Sequence, residues 1–339
     1  MNKINLKNDA GLMALALRLV VGWTYFSAFW RRTVLAEKLD PELAGYIGVK
    51  FNHFLPHALG IKPIIKYLVE NPDALWVNMV VFTIIEGIFG LFIMFGLFTR
   101  LMSIGVFSLA LGILLASGWI GTTCLDEWQI GILGIATGFV LFLTGSGKYA
   151  LDNYLLNKNI SFTKKKWFNW LGSGNIPIKN SNFSKVVLIG SLFIFGLTLA
   201  TNQIFHGGLW GTLHNKSIKP KVEITEGLFN HNTISFDVFR TEGVDVYGAW
   251  IIKLELLDNQ NQKVFQLDQN ALSQLNDKNI SNYYIAKVKS GKHSLILPLG
   301  AKAKLTFKDD IFTELPKGNY TIKLTDISGA FWEYSIKNK

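Results

Sequence analysis

The residues with the clearest chemical potential surround Cys124, the only cysteine in the 339-residue chain. Asp126 and Glu127 follow it closely, and Trp119 and Trp128 stand on either side. A thiolate can attack or bind a sulfur species when nearby cations lower its pKa, whereas carboxylates alone raise it. The pattern therefore predicts a reactive thiol if an arginine lies close to Cys124. Otherwise Cys124 is a small residue in a turn, and Asp126 caps the helix that follows.

Positive charge is concentrated in the segment between the first two apolar runs. Its candidate anion-binding residues are Arg31, Arg32, Lys50, His53 and His57. Guanidinium groups match the geometry of small oxyanions, so the cluster favours binding of a small dianion. Two alternatives stay open: contact with lipid headgroups, and pairing with the carboxylates near Cys124. His53 and His57 are four residues apart, but Pro56 lies between them and no third ligand is apparent, so no metal site is predicted.

Two ionisable residues, Arg18 and Glu86, interrupt the first two apolar runs. If the first helix ends at Trp30 and the second begins at Ala74, both charges lie roughly 18 Å below the same membrane surface. Opposite charges at one depth in adjacent antiparallel helices should pair. The predicted pair either serves a proton path or the polar head of a quinone, or it only fixes the helix register.

Five apolar runs have lengths that suit membrane helices, because about 20 residues cross a hydrocarbon layer of about 30 Å. They are Gly11–Trp30, Ala74–Phe98, Leu101–Trp119, Trp128–Thr144 and Val186–Phe205. The share of charged residues, 17%, is low, as expected when much of a chain lies in lipid. Short turns between successive runs force antiparallel neighbours, so the first four predict a transmembrane bundle of four α-helices.

The hydrophobic pattern changes to a period of two after the fifth run, which is typical of β-strands. We expect an all-β, immunoglobulin-like sandwich of seven to nine strands outside the membrane. The predicted order is a four-helix membrane domain over 1–150, a cytoplasmic linker over 151–184, an anchor helix over 185–206 and the β-sandwich over 207–339.

The distribution of basic residues predicts the topology. Ten lysines and arginines lie near the helix ends on the side of the N-terminus and the linker, against six on the other side. By the positive-inside rule the N-terminus is cytoplasmic and the β-domain lies outside an inner membrane crossed by five spans. The basic residues behind the net charge of +10 are thus distributed according to membrane topology rather than on a surface for nucleic acid. No nucleic-acid partner is predicted.

Several motifs together resemble the DoxD family, within the wider DoxX-like group. They are Arg18-x-x-x-Gly22-Trp23-Thr24-Tyr25, Lys50–Pro56, Ile85-Glu86-Gly87, Gly96–Arg100 and Gly118–Gln129. This resemblance covers about residues 10–155. The fifth span and the β-domain resemble the DoxA partner subunit in architecture and position, including the strand that begins at Gly318–Ile322.

The resemblance implies a thiosulfate:quinone oxidoreductase that converts two thiosulfates to tetrathionate and reduces a membrane quinone. In this scheme the basic cluster holds thiosulfate, Cys124 takes up its outer sulfur, and a second thiosulfate releases tetrathionate. The catalytic candidates are Cys124, Glu86, Asp126 and Glu127. The quinone-binding candidates are Arg18, Tyr25, Trp119 and Trp128. Proton delivery is assigned to Glu86 or His53, and the β-domain is expected to act as a substrate lid.

Two other functions remain open at this stage. A DoxX-like bundle can be a non-enzymatic accessory or assembly subunit of a respiratory complex, since a fold alone does not fix function. The same site can also oxidise another sulfur donor. The expected partners are thiosulfate, quinone and the lipid bilayer, with a homo-oligomer possible, and no metal, haem or flavin is predicted.

Overall fold

The computed structural model describes residues 6–43, 45–121, 126–173 and 180–338, without the side chains of residues 6–8, 180 and 181. Within the described residues the chain forms two compact units. The helical unit lies within Met1–Gly48, Trp76–Trp119 and Thr123–His214. The β unit combines Val49–Leu75 and Asn215–Lys339 with a short piece at Ile120–Thr122.

The helices follow the predicted order with shifted ends. They are α1 (Leu6–Met13), α2 (Leu15–Trp30), α3 (Val49–Phe54), α4 (Lys62–Glu70), α5 (Pro72–Phe95), α6 (Thr99–Ser117), α7 (Asp126–Thr144), α8 (Leu151–Asn157), α9 (Lys166–Leu171), α10 (Asn180–His206), α11 (Gln269–Ser273) and α12 (Ile311–Glu314). A π-helix, Arg31–Leu35, continues α2. Short 3-10 helices cover Leu55–His57 and Ser161–Lys164.

Within the described parts of the chain, four helices are long and apolar enough to cross a membrane: α5, α6, α7 and the Asn182–His206 part of α10. The prediction of a helical membrane protein is therefore confirmed. The first predicted span, Gly11–Trp30, is divided at Ala14, and α2 itself has 16 residues. The span count of five and the orientation of the termini stay predictions.

The region after α7 folds back on the turn between α5 and α6. Asp152, which is fully buried, accepts hydrogen bonds from the backbone N–H groups of Phe98 and Thr99 and from the Thr99 hydroxyl. Its carboxylate thus satisfies free N–H groups at the start of α6, where negative charge is favoured. Arg100 donates to the carbonyl of Asn169 at 2.7 Å, so the basic segment expected as a linker is held against the helical unit.

The β unit contains the predicted all-β domain. Its strands are β1 (Lys221–Asn230), β2 (Thr233–Glu242), β3 (Ala249–Leu257), β4 (Lys263–Leu267), β5 (Ile280–Asn282), β6 (Lys289–Ser290), β7 (Leu295–Leu297), β8 (Lys302–Lys308), β9 (Gly318–Asp326) and β10 (Phe331–Asn338). They form one barrel-like, ten-stranded sheet in the order β5-β8-β2-β1-β10-β9-β3-β7-β6, with β4 on β3. The pairs are antiparallel except β1 with β10. The all-β prediction is confirmed, with ten strands rather than seven to nine.

The second part of the first long loop, from Val49 onward, belongs to the β unit. Asn52 on α3 is fully buried; its side chain donates to the Gly300 carbonyl at 3.0 Å and accepts from the Ala286 N–H at 3.1 Å. Gly300 has a φ of +73°, and a Cβ there would collide with the Asn52 carbonyl. One polar side chain therefore satisfies two backbone groups of the sheet domain, and Gly300 is the residue that permits the contact.

We expect Asn52→Ala to destabilise the β unit. The change leaves two backbone groups without partners, each costing about 1–3 kcal/mol. Asn71→Ala is the matched control, because the Asn71 side chain donates an exposed hydrogen bond to the Tyr67 carbonyl. Denaturant unfolding of the full chain, followed by the circular dichroism of the strands, checks this. Equal midpoints for the two variants would contradict it.

Candidate functional site

Helices α2 and α5 pack closely against each other at glycine residues, which have no side chain to separate the two backbones. A Cβ on Gly22 would lie against Ile93, Met94 and the Gly90 carbonyl, and one on Gly90 would strike the backbone of Phe26. Gly87 lies equally close to the Phe29 ring. Small residues allow helix backbones to approach closely in a membrane. The glycines on both helices thus permit this close approach, which fixes the register of α2 and α5.

That register places Arg32, just after α2, beside Glu86 in α5. Arg32 Nη1 forms an ion pair with Glu86 Oε2 and lies 3.5 Å from Thr83 Oγ1. The Glu86 side chain is 4% exposed and that of Arg32 is 18% exposed. A carboxylate this deeply buried needs a cationic partner, and Arg32 supplies it.

The predicted pair of Arg18 with Glu86 is wrong. The prediction placed Trp30 beside Ala74, whereas Phe29 lies beside Gly87, about 20 Å further along α5 at 1.5 Å per residue. Arg18 therefore reaches the far end of α5. Its guanidinium donates to the carbonyls of Ser146 at 2.9 Å and Tyr149 at 2.6 Å, so it holds a turn together.

The four predicted quinone-binding residues contact different elements. The Tyr25 hydroxyl lies 3.4 Å from the Val106 carbonyl of α6, and Arg18 binds the turn after α7. Trp119 is fully buried at the end of α6. Trp128 instead donates through Nε1 to the Thr201 hydroxyl of α10 at 3.0 Å. The hydrogen-bond partners of Tyr25, Arg18 and Trp128 therefore belong to three different parts of the helical unit.

A histidine outside the predicted site residues lies beside Trp128. His206, the last residue of α10, is fully buried, and its ring meets the indole edge to face at 6.5 Å between centroids. Its Nε2 is 3.0 Å from the carbonyl of Gly118, the first residue of the Gly118–Gln129 motif. The available sequence signal was a histidine at the end of an apolar run.

The contact with Gly118 assigns the tautomer of His206. A carbonyl oxygen only accepts hydrogen bonds, so Nε2 carries the hydrogen and Nδ1 of the neutral ring is an acceptor. Nδ1 is buried and has no hydrogen-bond partner among the described residues. A buried polar atom in this state is costly unless a ligand or water satisfies it. The Trp128–His206 cluster thus combines an indole ring with a buried nitrogen acceptor that no described residue satisfies.

Three members of the predicted anion cluster lie in the β unit beside carboxylates. Lys50 Nζ is 2.6 Å and His53 Nδ1 is 3.7 Å from Asp245 Oδ2. The contact with His53, followed by that with Lys50, holds the pKa of Asp245 below its usual range. The charge of Lys50 is therefore largely compensated within the β unit.

His57 contributes no positive charge at neutral pH. Burial, aided by Lys216 and Lys62, lowers the pKa of His57 to about 4. Its Nε2 lies 3.6 Å from Glu242 Oε1. The predicted role of His57 as a cationic group for an anion is therefore weakened, because the ring is neutral where the carboxylate is charged.

The remaining candidates lie at the ends of helices in the helical unit. Arg31 is exposed, and its Nε donates to the Ser27 carbonyl at 3.3 Å. Asp126 is exposed and Glu127 half-buried in the first turn of α7, where acidic residues favour the helix dipole. Cys124 lies outside the described residues. Within the described residues, no group of three or more potential metal ligands is assembled.

Two family profiles match the chain. Residues 13–179 match the family described as TQO small subunit DoxD, and residues 205–335 match the family described as TQO small subunit DoxA, where TQO denotes thiosulfate:quinone oxidoreductase. The two matches follow each other in one polypeptide and together cover most of it. The resemblance inferred from the sequence motifs is confirmed for both halves.

We expect Glu86→Gln to destabilise the helical unit, because it leaves the Arg32 guanidinium buried without a counter-charge. Loss of one partner of a buried pair costs about 3–5 kcal/mol, and partial exposure of Arg32 favours the low end. The double change Arg32→Met with Glu86→Leu should restore most of the stability.

The control is Glu70→Gln, which disrupts the exposed Lys66–Glu70 pair and should change the stability by less than about 1 kcal/mol. Thermal unfolding in detergent measures all of these variants. A Glu86→Gln protein as stable as Glu70→Gln would contradict the role of the pair.

Proposed function

We propose that this chain, whose two regions belong to the DoxD and DoxA families of TQO small subunits, is a thiosulfate:quinone oxidoreductase that combines both regions in one polypeptide. It would oxidise two thiosulfates to tetrathionate and pass two electrons to a membrane quinone. The observation that carries the proposal is the succession of the two family regions, residues 13–179 and 205–335, in a protein with four candidate membrane helices.

The sulfur chemistry is assigned to Cys124. Its thiolate and one thiosulfate form an S–S bond, giving an enzyme-bound Cys–S–S–SO3⁻ group and releasing two electrons. A second thiosulfate attacks the sulfur that bears the sulfonate, forming tetrathionate and returning the Cys124 thiolate. Both steps balance in atoms and charge, and a single cysteine suffices because the electrons leave in the first step.

Arg31 is the leading candidate for holding the anion. Lys50 and His53 already lie against Asp245, and His57 is neutral, whereas the guanidinium of Arg31 is exposed beside Arg32. A guanidinium can bind a sulfonate through two parallel hydrogen bonds. We assign Arg31 to thiosulfate binding and the Arg32–Glu86 pair to keeping this end of α2 fixed.

The Trp128–His206 cluster is assigned to the quinone. A quinone supplies a two-electron acceptor whose reduction takes up two protons. The indole of Trp128 would bind the flat ring. His206 Nδ1, a buried acceptor without a hydrogen-bond partner in the part of the chain that the structure describes, could receive a hydroxyl hydrogen of the reduced product or pass a proton after protonation. Asp126 and Glu127, at the start of the helix that carries Trp128, are candidates for relaying protons from solvent.

An alternative is a non-enzymatic subunit of a respiratory complex, or an oxidoreductase for another sulfur donor. The observation that favours the first is that both matching families are described as small subunits. Purified wild type that reduces no quinone with thiosulfate, sulfite or sulfide would support it. Turnover with sulfite or sulfide alone would identify a different donor.

We expect the purified full chain in detergent to reduce a soluble quinone analogue with thiosulfate and to form one tetrathionate per two thiosulfates. Cys124→Ser should lose the activity, because a hydroxyl group is a much weaker nucleophile towards sulfur than a thiolate is. Arg31→Gln should raise the KM for thiosulfate more than Arg31→Lys, which retains the charge. Full tetrathionate formation by Cys124→Ser would refute the covalent scheme and leave the reaction itself intact.

We expect His206→Gln to lower kcat for quinone reduction by about 10²-fold or more, as for loss of an acid–base group. Glutamine can still donate to the Gly118 carbonyl, so the fold should be retained. The KM for thiosulfate should change little, and one ionisation should disappear from the pH profile of kcat. His214→Gln is the control. A wild-type profile in His206→Gln would limit His206 to a structural contact.

A further inference from the structure

One end of the β unit carries an apolar groove with an exposed rim. The groove has a volume of about 190 Å³ and is lined in part by Ile218, Tyr247, Trp250 and Ile327. Tyr247 is 62% exposed and Ile327 63% exposed, and neighbouring Val246 is 72% exposed. Large apolar side chains from three separate segments thus form one exposed patch. Exposed apolar patches of this kind mark sites of interaction with another protein or with a membrane.

The rim is held in place by buried charged groups. Arg240 is 2% exposed and donates to the carbonyls of Val244 at 2.8 Å and Tyr247 at 2.6 Å, which shapes the loop between β2 and β3. Asp326 accepts from the N–H groups of Trp250 at 3.0 Å and Ser328 at 2.7 Å, which shapes the turn after β9. The apolar side chains are therefore presented by a fixed backbone and have little freedom to withdraw from water.

The chain brings this rim within reach of a membrane. Ile218 follows His206, the end of a candidate membrane helix, by twelve residues. Twelve residues span at most about 40 Å when fully extended. Lys216 and Lys219 flank Ile218, and Lys219 is exposed. Tyrosine, tryptophan and lysine together are the side chains that favour the headgroup region of a bilayer, and lysine adds attraction to anionic lipids.

We propose that this rim, formed by Ile218, Val246, Tyr247, Trp250 and Ile327, docks the β unit on the lipid surface. The aromatic and aliphatic side chains enter the headgroup region, and Lys219 contacts lipid phosphates. The inference does not depend on the thiosulfate reaction: it follows from apolar exposure, a fixed backbone, adjacent lysines and a short tether to a membrane helix. It assigns to the β unit a defined face towards the membrane.

The test places a bimane label on the rim of the full-length protein in lipid nanodiscs. Val246→Cys and, separately, Ile327→Cys are made in a Cys124→Ser background so that each protein carries one thiol. Nitroxide spin labels on the lipid headgroup or on the fifth acyl carbon then report contact by quenching. We expect strong quenching at both positions, and more when phosphatidylglycerol is added to phosphatidylcholine.

The control is Leu228→Cys, which is similarly exposed at 59% in the same domain. Leu228 lies seven residues along β1 from Lys221, roughly 23 Å from the groove end at 3.3 Å per residue. It should be quenched little. Equal quenching at Leu228 and Val246, or none at Val246 and Ile327, would overturn the proposal. Self-association of the protein that is abolished by labelling the rim, without lipid quenching, would instead assign the rim to a second copy.

A measurement without labels tests the same proposal on the wild-type chain, so that it does not depend on the Cys124→Ser substitution preserving the fold. Amide hydrogen exchange of the wild-type chain should show slower exchange over residues 244–250 and 326–329 when the nanodiscs contain phosphatidylglycerol than when they do not. Lys219→Ser should reduce that difference, whereas Lys278→Ser on another part of the domain should not. Exchange that is independent of lipid charge in wild type would count against lysine-assisted docking.

Discussion

The close approach of α2 and α5 determines what the helical unit can bring together. Gly22 and Gly90 leave room for backbone against backbone, and any side chain there would force the helices apart. The axial register that these glycines impose on α2 and α5 determines which charged side chains lie close together. In this register Arg32 forms the ion pair with Glu86. Arg18 lies at the opposite end of α5, where its guanidinium donates to backbone carbonyls. Electrostatics in this unit thus follows packing.

The sequence predicted the kinds of elements well and their mutual register poorly. Hydrophobic period and length found α5, α6, α7 and α10 to within a few residues, because lipid imposes a length on every span. The Arg18–Glu86 error arose from equating depth with distance from the predicted helix ends. Those ends do not lie side by side, since α5 extends beyond the end of α2. The register of α2 and α5 has to be predicted from the positions of the small residues on both helices.

The candidate site was predictable to the extent that residue type alone suggests chemistry. Arginine, cysteine and tryptophan were found because they are unusual at a membrane boundary. His206 was not assigned a role, because its importance depends on a carbonyl in Gly118 that is 88 residues away in the chain. Lys50 and His53 were grouped with the arginines because they share a loop, yet this loop is divided between two folding units. Sequence proximity does not show such a division.

The position of Asn52 has a consequence for how the protein is made. Its partner Gly300 lies 248 residues later in the chain, which corresponds to about 12–50 s of synthesis at 5–20 residues per second. During that interval α5, α6, α7 and α10 must all emerge while α3 and α4 have no sheet to pack on. The β unit is therefore a discontinuous domain whose first part waits for its last. The contact between Asn52 and Gly300 can therefore form only late in synthesis, after nearly the whole chain has been made.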